Sequence, residues 1–348
     1  MSSPWTVAAW LQELLSAVDA GHRLHQDEIT RLIEVSAISP EADFLRLAAN
    51  NLTRSRTGEQ AIISSQIGLD ARPCSGGCAF CGFSAEHHGR DFTPWRLSAD
   101  DVQREVKSLV DAGVNYVGLM TTADYPVDEY LRMCLAARSA MPNSMVLAAN
   151  IGDFDRSLAR ELRRVGVGRV YHVLRLGEGQ VTRLDPAKRL ETMEAAAAEG
   201  LELTFCLEPV GPEHSAAELA ERIEVSRQVR PNIMAVMRRI PLPGSPFSNQ
   251  FPVSEVRMAQ LLAIARLAHA HERAMVFYIH EPSLLGLMAG ANMICAERAT
   301  NPREGNATLD TWRGLSVAQC KRMVNEAGFV PRQEPNYPGT WFPGFSPV

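Results

Sequence analysis

The chain has 348 residues, of which 46% are apolar and 22% charged, and its net charge is −5; that length suits one large α/β barrel with extra elements. The 35 basic residues are dispersed and form no lysine–arginine block of the kind that tracks a phosphate backbone, so nucleic acid is not an expected partner. No apolar run is long enough to span a bilayer and no basic export leader opens the chain, so the expected setting is the cytoplasm, away from the membrane.

The first segment, "MSSPWTVAAWLQELLSAVDAGHRL", reads as an amphipathic helix started by Ser3-Pro4, with Trp10, Leu11, Leu14 and Leu15 at helical spacing. Residues 5–57 are expected to be helical throughout. From residue 61 the pattern becomes short β-rich runs alternating with amphipathic helices. The strand candidates are 61–71, 115–120, 145–150, 169–174, 201–206, 232–237, 274–279 and 291–296. The helices between and after them are expected at 99–112, 127–141, 155–165, 186–199, 215–229, 253–270, 282–288 and 315–327. Strict alternation implies parallel strands joined by right-handed crossovers. Eight such units predict a (β/α)8 TIM-type barrel (58–330) behind an N-terminal helical extension (1–57), with a proline-rich tail at 331–348. An open doubly wound sheet is the alternative.

Three of the seven cysteines, Cys74, Cys78 and Cys81, fall within "CSGGCAFC", directly after the first strand candidate. In a barrel this is the end where sites are built. Clustered thiols in a reducing compartment indicate metal or redox chemistry rather than disulfides. Thiolates select zinc or iron–sulfur clusters. Zinc would need a fourth ligand, for which His87 and His88 are available. A cluster would use Gly76, Gly77 and Gly82 to wrap backbone N–H groups closely around its sulfides. Three thiolates on a four-iron cube would leave one iron open.

C-x3-C-x2-C with Phe80 before the last cysteine resembles the signature of radical S-adenosylmethionine (SAM) enzymes. Further stretches, "RVYHVLRLGEGQVTRLDP" (169–186), "PLPGSPF" (241–247), "LMAGANMI" (287–294) and "EAGFVP" (326–331), are similar to the biotin synthase group, which includes hydrogenase-maturation and methylornithine-synthase-like enzymes. The resemblance implies an enzyme with a [4Fe–4S] cluster on Cys74, Cys78 and Cys81 and with SAM on its open iron. It implies reductive cleavage of SAM to a 5′-deoxyadenosyl radical that takes hydrogen from a small metabolite. An electron donor such as flavodoxin or ferredoxin is implied as partner. Biotin synthase also carries a second, sulfur-donating cluster held by further barrel cysteines. Here "VGLMTT" and "VLAANIG" contain none, and Cys206 in "LTFCLEP" is displaced by two residues. Rearrangement, cleavage or related chemistry is therefore expected; sulfur insertion, or a non-catalytic metal scaffold, is the alternative.

For SAM, the resemblance points to Thr121 and Thr122, Asn150, Arg175 with Glu178, and the backbone at Val210-Gly211. Arg183 and Lys188 are alternative cations for its carboxylate. Glu208 is divided between a cap and a site role, and Glu213 and His214 read as caps of the next helix. Arg238 and Arg239 offer a fork for an anionic substrate group, with strand alternation expected to turn only one inward. Tyr278, His280 and Glu281 are candidate pocket residues, and Glu297 and Arg298 weaker ones. Cys134 and Cys320 are expected to pack inside helices.

Overall fold

A computed structural model describes residues 6–87, 94–272, 276–298, 300 and 314–335. Three helices, α1 (Ala9–Asp19), α2 (Gln26–Glu34) and α3 (Pro40–Thr57), precede eight parallel strands. The first of these is β1 (Gln60–Gly68). After it comes an antiparallel pair, β2 (Asp70–Ala71) and β3 (Trp95–Arg96), which brackets the cysteine loop, and then α4 (Ala99–Asp111). The alternation continues through β4 (Tyr116–Met120), α5 (Val127–Ser139), β5 (Val146–Asn150), α6 (Arg156–Arg164), β6 (Val167–Tyr171) and α7 (Pro186–Ala198). It is completed by β7 (Glu202–Val210), α8 (Ala216–Val229), β8 (Ile233–Arg238), α9 (Glu255–Ala268), β9 (Val276–Ile279), α10 (Leu284–Leu287), β10 (Met293–Arg298) and α11 (Val317–Glu326). A short β11 (Val330–Pro331) pairs with the start of β1.

Around the sheet the order is β10-β1-β4-β5-β6-β7-β8-β9, all parallel, so the strands curve into a nearly closed (β/α)8 barrel. Between β9 and β10 no ladder forms among the described residues. Asn292 bridges that seam. Its backbone N–H donates to the Phe277 carbonyl and its side-chain oxygen accepts from the Phe277 N–H, both at 2.9 Å. Asn115 clasps Ile63 of β1, and Asn232 clasps Leu203 of β7, in the same two-bond way. An asparagine just before a strand thus supplies a backbone donor and a side-chain acceptor to the neighbouring strand.

The helices start where short polar side chains can take up orphan N–H groups. Ser98 with Asp101, Ser215 with Glu218, and Ser316 with Gln319 form capping boxes on α4, α8 and α11. Asp185 and Pro186 open α7. At the N-terminus, α1 begins at Ala9 with no side-chain cap, later than the expected start; Ser3 and Pro4 lie outside the described residues. Ala8 instead donates its N–H to Glu41 of α3, 3.2 Å away. The last carbonyls of α2 are satisfied from the barrel side. The fully buried Gln260 of α9 donates to Leu32 and Val35, and Arg257 to Ile33.

One apolar core lies between strands and helices, and includes Cys134 and Cys320, as the sequence reading expected. A second fills the barrel interior with Ile62, Tyr116, Val146, Ala148, Cys206, Ile233, Ala235, Val276, Tyr278 and Met293. Most strands fall within a residue or two of expectation, but the 61–71 run divides into β1 and the short β2, and two others differ more. The strand expected at 169–174 is β6, which runs Val167–Tyr171; Gly166 (φ +90°) turns the chain out of α6 directly into it. The strand expected at 201–206 is β7, which runs on to Val210 and is buried along its length.

Candidate active site

The cysteine loop is folded by its own backbone before any metal is considered. Cys74 bridges to Ser84: Cys74 N–H donates to Phe83 (2.7 Å), and Ala85 N–H to Cys74 (2.9 Å). Inside that closure, Cys81 N–H bonds the Cys78 carbonyl and Ser84 N–H the Cys81 carbonyl, both at 3.1 Å. These successive turns put all three thiols on the wall of one cavity. The loop is also stapled to its neighbours. Asp124, after β4, accepts from the Ser75 N–H and hydroxyl, both at 2.5 Å. On the β6–α7 side, Ala79 and Arg183 exchange backbone bonds with Val181 and Gly76 at 2.9 Å.

The donor set suits an iron–sulfur cluster. Gly76 N–H points at the Cys74 sulfur and Phe83 N–H at the Cys81 sulfur, each at 3.4 Å. Such N–H···S contacts stabilise cluster thiolates. A Cβ on Gly76 would sit 3.4 Å from the Cys74 sulfur and 3.8 Å from that of Cys78, so the glycine keeps the space between the thiols open. Burial pushes the Cys78 thiol up to about 12, against the pull of Arg175, and raises Cys81 as well. Without a bound cation, these groups stay protonated. As for zinc, His87 lies beside Glu86 and does not line the cavity, and His88 lies outside the described residues.

The cavity, of about 300 Å³, opens at the C-terminal end of the barrel. Thr121, Thr122, Asn150, Arg175, Glu208, Arg238, Arg239, His280, Glu281 and Glu297 all contribute to its wall. Thr122 is spoken for: its N–H and hydroxyl bond Asp70 at 3.1 and 3.0 Å. Thr121 donates its N–H to the Asn150 carbonyl, 3.0 Å away.

Arg175 is the hub of a buried charge network. Its Nε lies 3.0 Å from Glu208 and its Nη1 3.5 Å from Glu178. The exposed pair of little consequence that sequence alone allows is therefore excluded. Two anions beside it raise its pKa further, despite burial. Glu178 stands behind Arg175, off the cavity wall, where it accepts from the Arg175 N–H (3.0 Å) and the Thr182 hydroxyl (2.9 Å). Arg189 extends the network through Asp153 to His172, at 2.9 and 3.0 Å. Burial and the nearby Arg189 drive His172 down to about 3. Burial would raise Asp153, but His172 and Arg189 outweigh it and hold the carboxylate below its ordinary value.

Several expectations are revised by placement. Val210 does not reach the cavity wall; Pro209 does. Glu213 and His214 do not cap α8, because Ser215 and Glu218 do so; Glu213 pairs with Arg239, and His214 accepts from Gly211 N–H at 2.9 Å. Both Arg238 and Arg239 face the cavity, since β8 ends at Arg238 and strand alternation stops there. Arg239 also contacts Gln250 and lies over the Phe247 ring. Tyr278 sits beneath the wall, inside the barrel, with its hydroxyl 2.9 Å from His280 Nε2. Arg183 packs on Gly77 and pairs with Glu86, Lys188 is exposed on α7, and Arg298 is exposed at the end of β10.

Sequence reading passed over Arg189, Asp153, Asp124 and Tyr171. Arg189 is one residue from the considered Lys188, and its apolar-face neighbours Thr192, Met193 and Ala196 were the available signal that it points inward. Tyr171, the last residue of β6, donates to Glu208 and lies 3.1 Å from His280 Nε2.

Comparison with known proteins fits this geometry. Residues 71–225 match the radical SAM superfamily model. Residues 71–225 thus carry a radical SAM domain, which indicates an enzyme with a [4Fe–4S] cluster and SAM as cofactors. Its similar curated proteins and solved structures match the biotin synthase-like group of that superfamily. It is 24% identical over 316 residues to biotin synthase of Desulforudis audaxviator, covering 86% of this chain and 94% of that one. Among solved structures, methylornithine synthase superposes with a TM-score of 0.79 at 16% identity, covering 92% of this chain and 98% of that one. The FeFe-hydrogenase maturase HydG from Carboxydothermus hydrogenoformans gives 0.76 at 18% identity, covering 92% and 79%. At these identities, the structural likeness establishes the fold.

Proposed function

We propose that Cys74, Cys78 and Cys81 hold the cluster and that the enzyme abstracts hydrogen from a small, anionic metabolite enclosed in the barrel mouth. The observation that carries this reading is convergence. Three thiols, the Arg175–Glu208 pair and the ends of β4 and β5 share one cavity. When bound, the cluster and SAM supply a carbon-centred radical able to break an unactivated C–H bond.

The chain's own residues hold and shield. Asn150 and the backbone after β4 offer polar contacts for SAM, and Arg175, oriented by Glu178, offers a cation for its carboxylate. The backbone at Pro209 passes close by. Met120, Met237, Ile240 and Leu242 line the rest of the wall and exclude water, which protects a reactive intermediate. Arg238 and Arg239 are the candidate anchors for a substrate anion, with Tyr278 and His280 below them. A flavodoxin or ferredoxin in the cytoplasm would deliver the electron.

Rearrangement or cleavage is favoured over sulfur insertion. The inward positions of β4 (Tyr116, Gly118, Met120) and β5 (Val146, Ala148, Asn150) carry no thiol. The deciding experiment is anaerobic. The protein is reconstituted with iron and sulfide, reduced and given SAM, and 5′-deoxyadenosine is sought by mass spectrometry. It should appear with the wild type and vanish in the Cys74/Cys78/Cys81 triple alanine variant. A full cluster with bound SAM and no 5′-deoxyadenosine would favour the non-catalytic scaffold.

A further inference from the structure

Below the cysteine loop, on the opposite side of the barrel mouth, a second set of ligating side chains converges. Cys206 and Glu208 are two residues apart on β7 and so share its inner face. His280 comes one residue after β9. Strand β8 runs between them. There Ala235 is in register with Cys206 on one side and Tyr278 on the other, and contributes only a methyl group to the barrel interior. As a result, the ligand atoms of Cys206, Glu208 and His280 lie within 4.8 Å of one another, and all three residues are buried. Glu208 and His280 lie on the cavity wall, and Cys206 lies just beneath it.

The surroundings resemble those that metal ligands keep. Glu208 accepts from Tyr171 and from Arg175, and the Tyr278 hydroxyl lies 2.9 Å from His280 Nε2. Outer partners of this kind orient ligands, and a carboxylate with about four lone-pair sites can hold them and still bind a cation. The charge balance points the same way. Three cavity arginines already share their charge with carboxylates: Arg175 with Glu178 and Glu208, Arg189 with Asp153, and Arg239 with Glu213. An anionic substrate therefore gains from a further positive centre.

We propose that Cys206, Glu208 and His280 form a mononuclear site for a divalent transition metal of the zinc, iron(II) or cobalt(II) type. Mixed sulfur, nitrogen and oxygen donors select such ions. Three protein ligands leave a position open toward the cavity, as in catalytic rather than structural sites. That position would take a carboxylate, amine or hydroxyl of the substrate as a Lewis-acid anchor. The anchoring role rests on the substrate reading above; metal binding itself does not.

The test separates the two. Full-length protein with Cys74, Cys78 and Cys81 all changed to alanine is titrated anaerobically with cobalt(II), its fold checked by circular dichroism. One equivalent should bind, with a thiolate-to-cobalt charge-transfer band. Adding Cys206→Ala should abolish the band, and adding His280→Ala or Glu208→Gln should weaken binding about 10- to 100-fold; Cys295→Ala should change neither. A folded triple variant with no band, or a band that survives Cys206→Ala, overturns the proposal. If the triple variant does not fold, the reconstituted wild-type holoprotein is exposed to zinc, desalted and analysed for zinc and iron. One zinc per chain beyond the cluster iron, lost in Cys206→Ala, supports the site. No zinc, or additional iron and sulfide in its place, refutes it.

Discussion

Arg175 Nε lies 3.0 Å from Glu208 Oε1, tying the loop after β6 to the inner face of β7 at the cavity wall. Glu178, at 3.5 Å, completes a buried trio of one cation and two anions. Removing the cation leaves two carboxylates buried without it. Arg175→Met is expected to cost about 3–5 kcal/mol of stability, measured by urea unfolding of the metal-free protein, and to abolish SAM binding by the reconstituted form. A stability loss within about 0.5 kcal/mol, the range of ordinary surface changes, would contradict the network's role.

Gly77 has φ +60°, and an added Cβ would lie 2.9 Å from Arg183 Cγ. An L-residue pays about 1–2 kcal/mol for that backbone conformation, and the loop would also have to move off the β6–α7 segment. Gly77→Ala should lower the iron retained after desalting while barely changing the melting temperature, because the barrel does not depend on the loop. Iron analysis and circular dichroism of the same sample check both halves.

Asn292 stands in for a ladder at the β9–β10 seam. Asn292→Ala leaves the buried Phe277 N–H without its side-chain acceptor, at a cost of about 1–3 kcal/mol. Denaturant unfolding measures the loss. The equivalent change at Asn115, where β1 and β4 also share a full ladder, should be less damaging to barrel closure as read by hydrogen exchange of β9 and β10.

Burial holds His172 at about 3 and His269 at about 4, both below the ordinary 6.5. Between those values and 6.5, the unfolded chain binds protons that the folded chain does not. Stability is therefore fully present above pH 6.5 and falls as pH drops, by about 1.4 kcal/mol per pH unit for each histidine. His269 packs on Phe277 and bonds Ser226 and Ala265, away from the cavity. His269→Gln should flatten the slope between pH 6.5 and 4 by the share of one histidine. An unchanged slope in urea unfolding across that range would contradict it.

Much of this protein was legible in one dimension. Alternating β-rich and amphipathic segments gave the barrel because periodicity and crossover handedness are local or topological constraints. The cysteine loop was legible because its ligands are adjacent in sequence. Its glycines mark backbone positions that a side chain would block. Serine and aspartate caps placed most helix starts to within a residue or two. Tertiary structure decided what depends on which strand ends meet. Arg175 reaches Glu208 from another unit, Arg189 turns inward beside an exposed Lys188, and Arg239 is taken up by Glu213 of the neighbouring loop. Cys206 and Glu208 on β7 meet His280, just after β9, with Ala235 of β8 in register between the two strands. Burial and charge pairing depend on distances across the barrel, and sequence order does not contain those distances until the strands have closed.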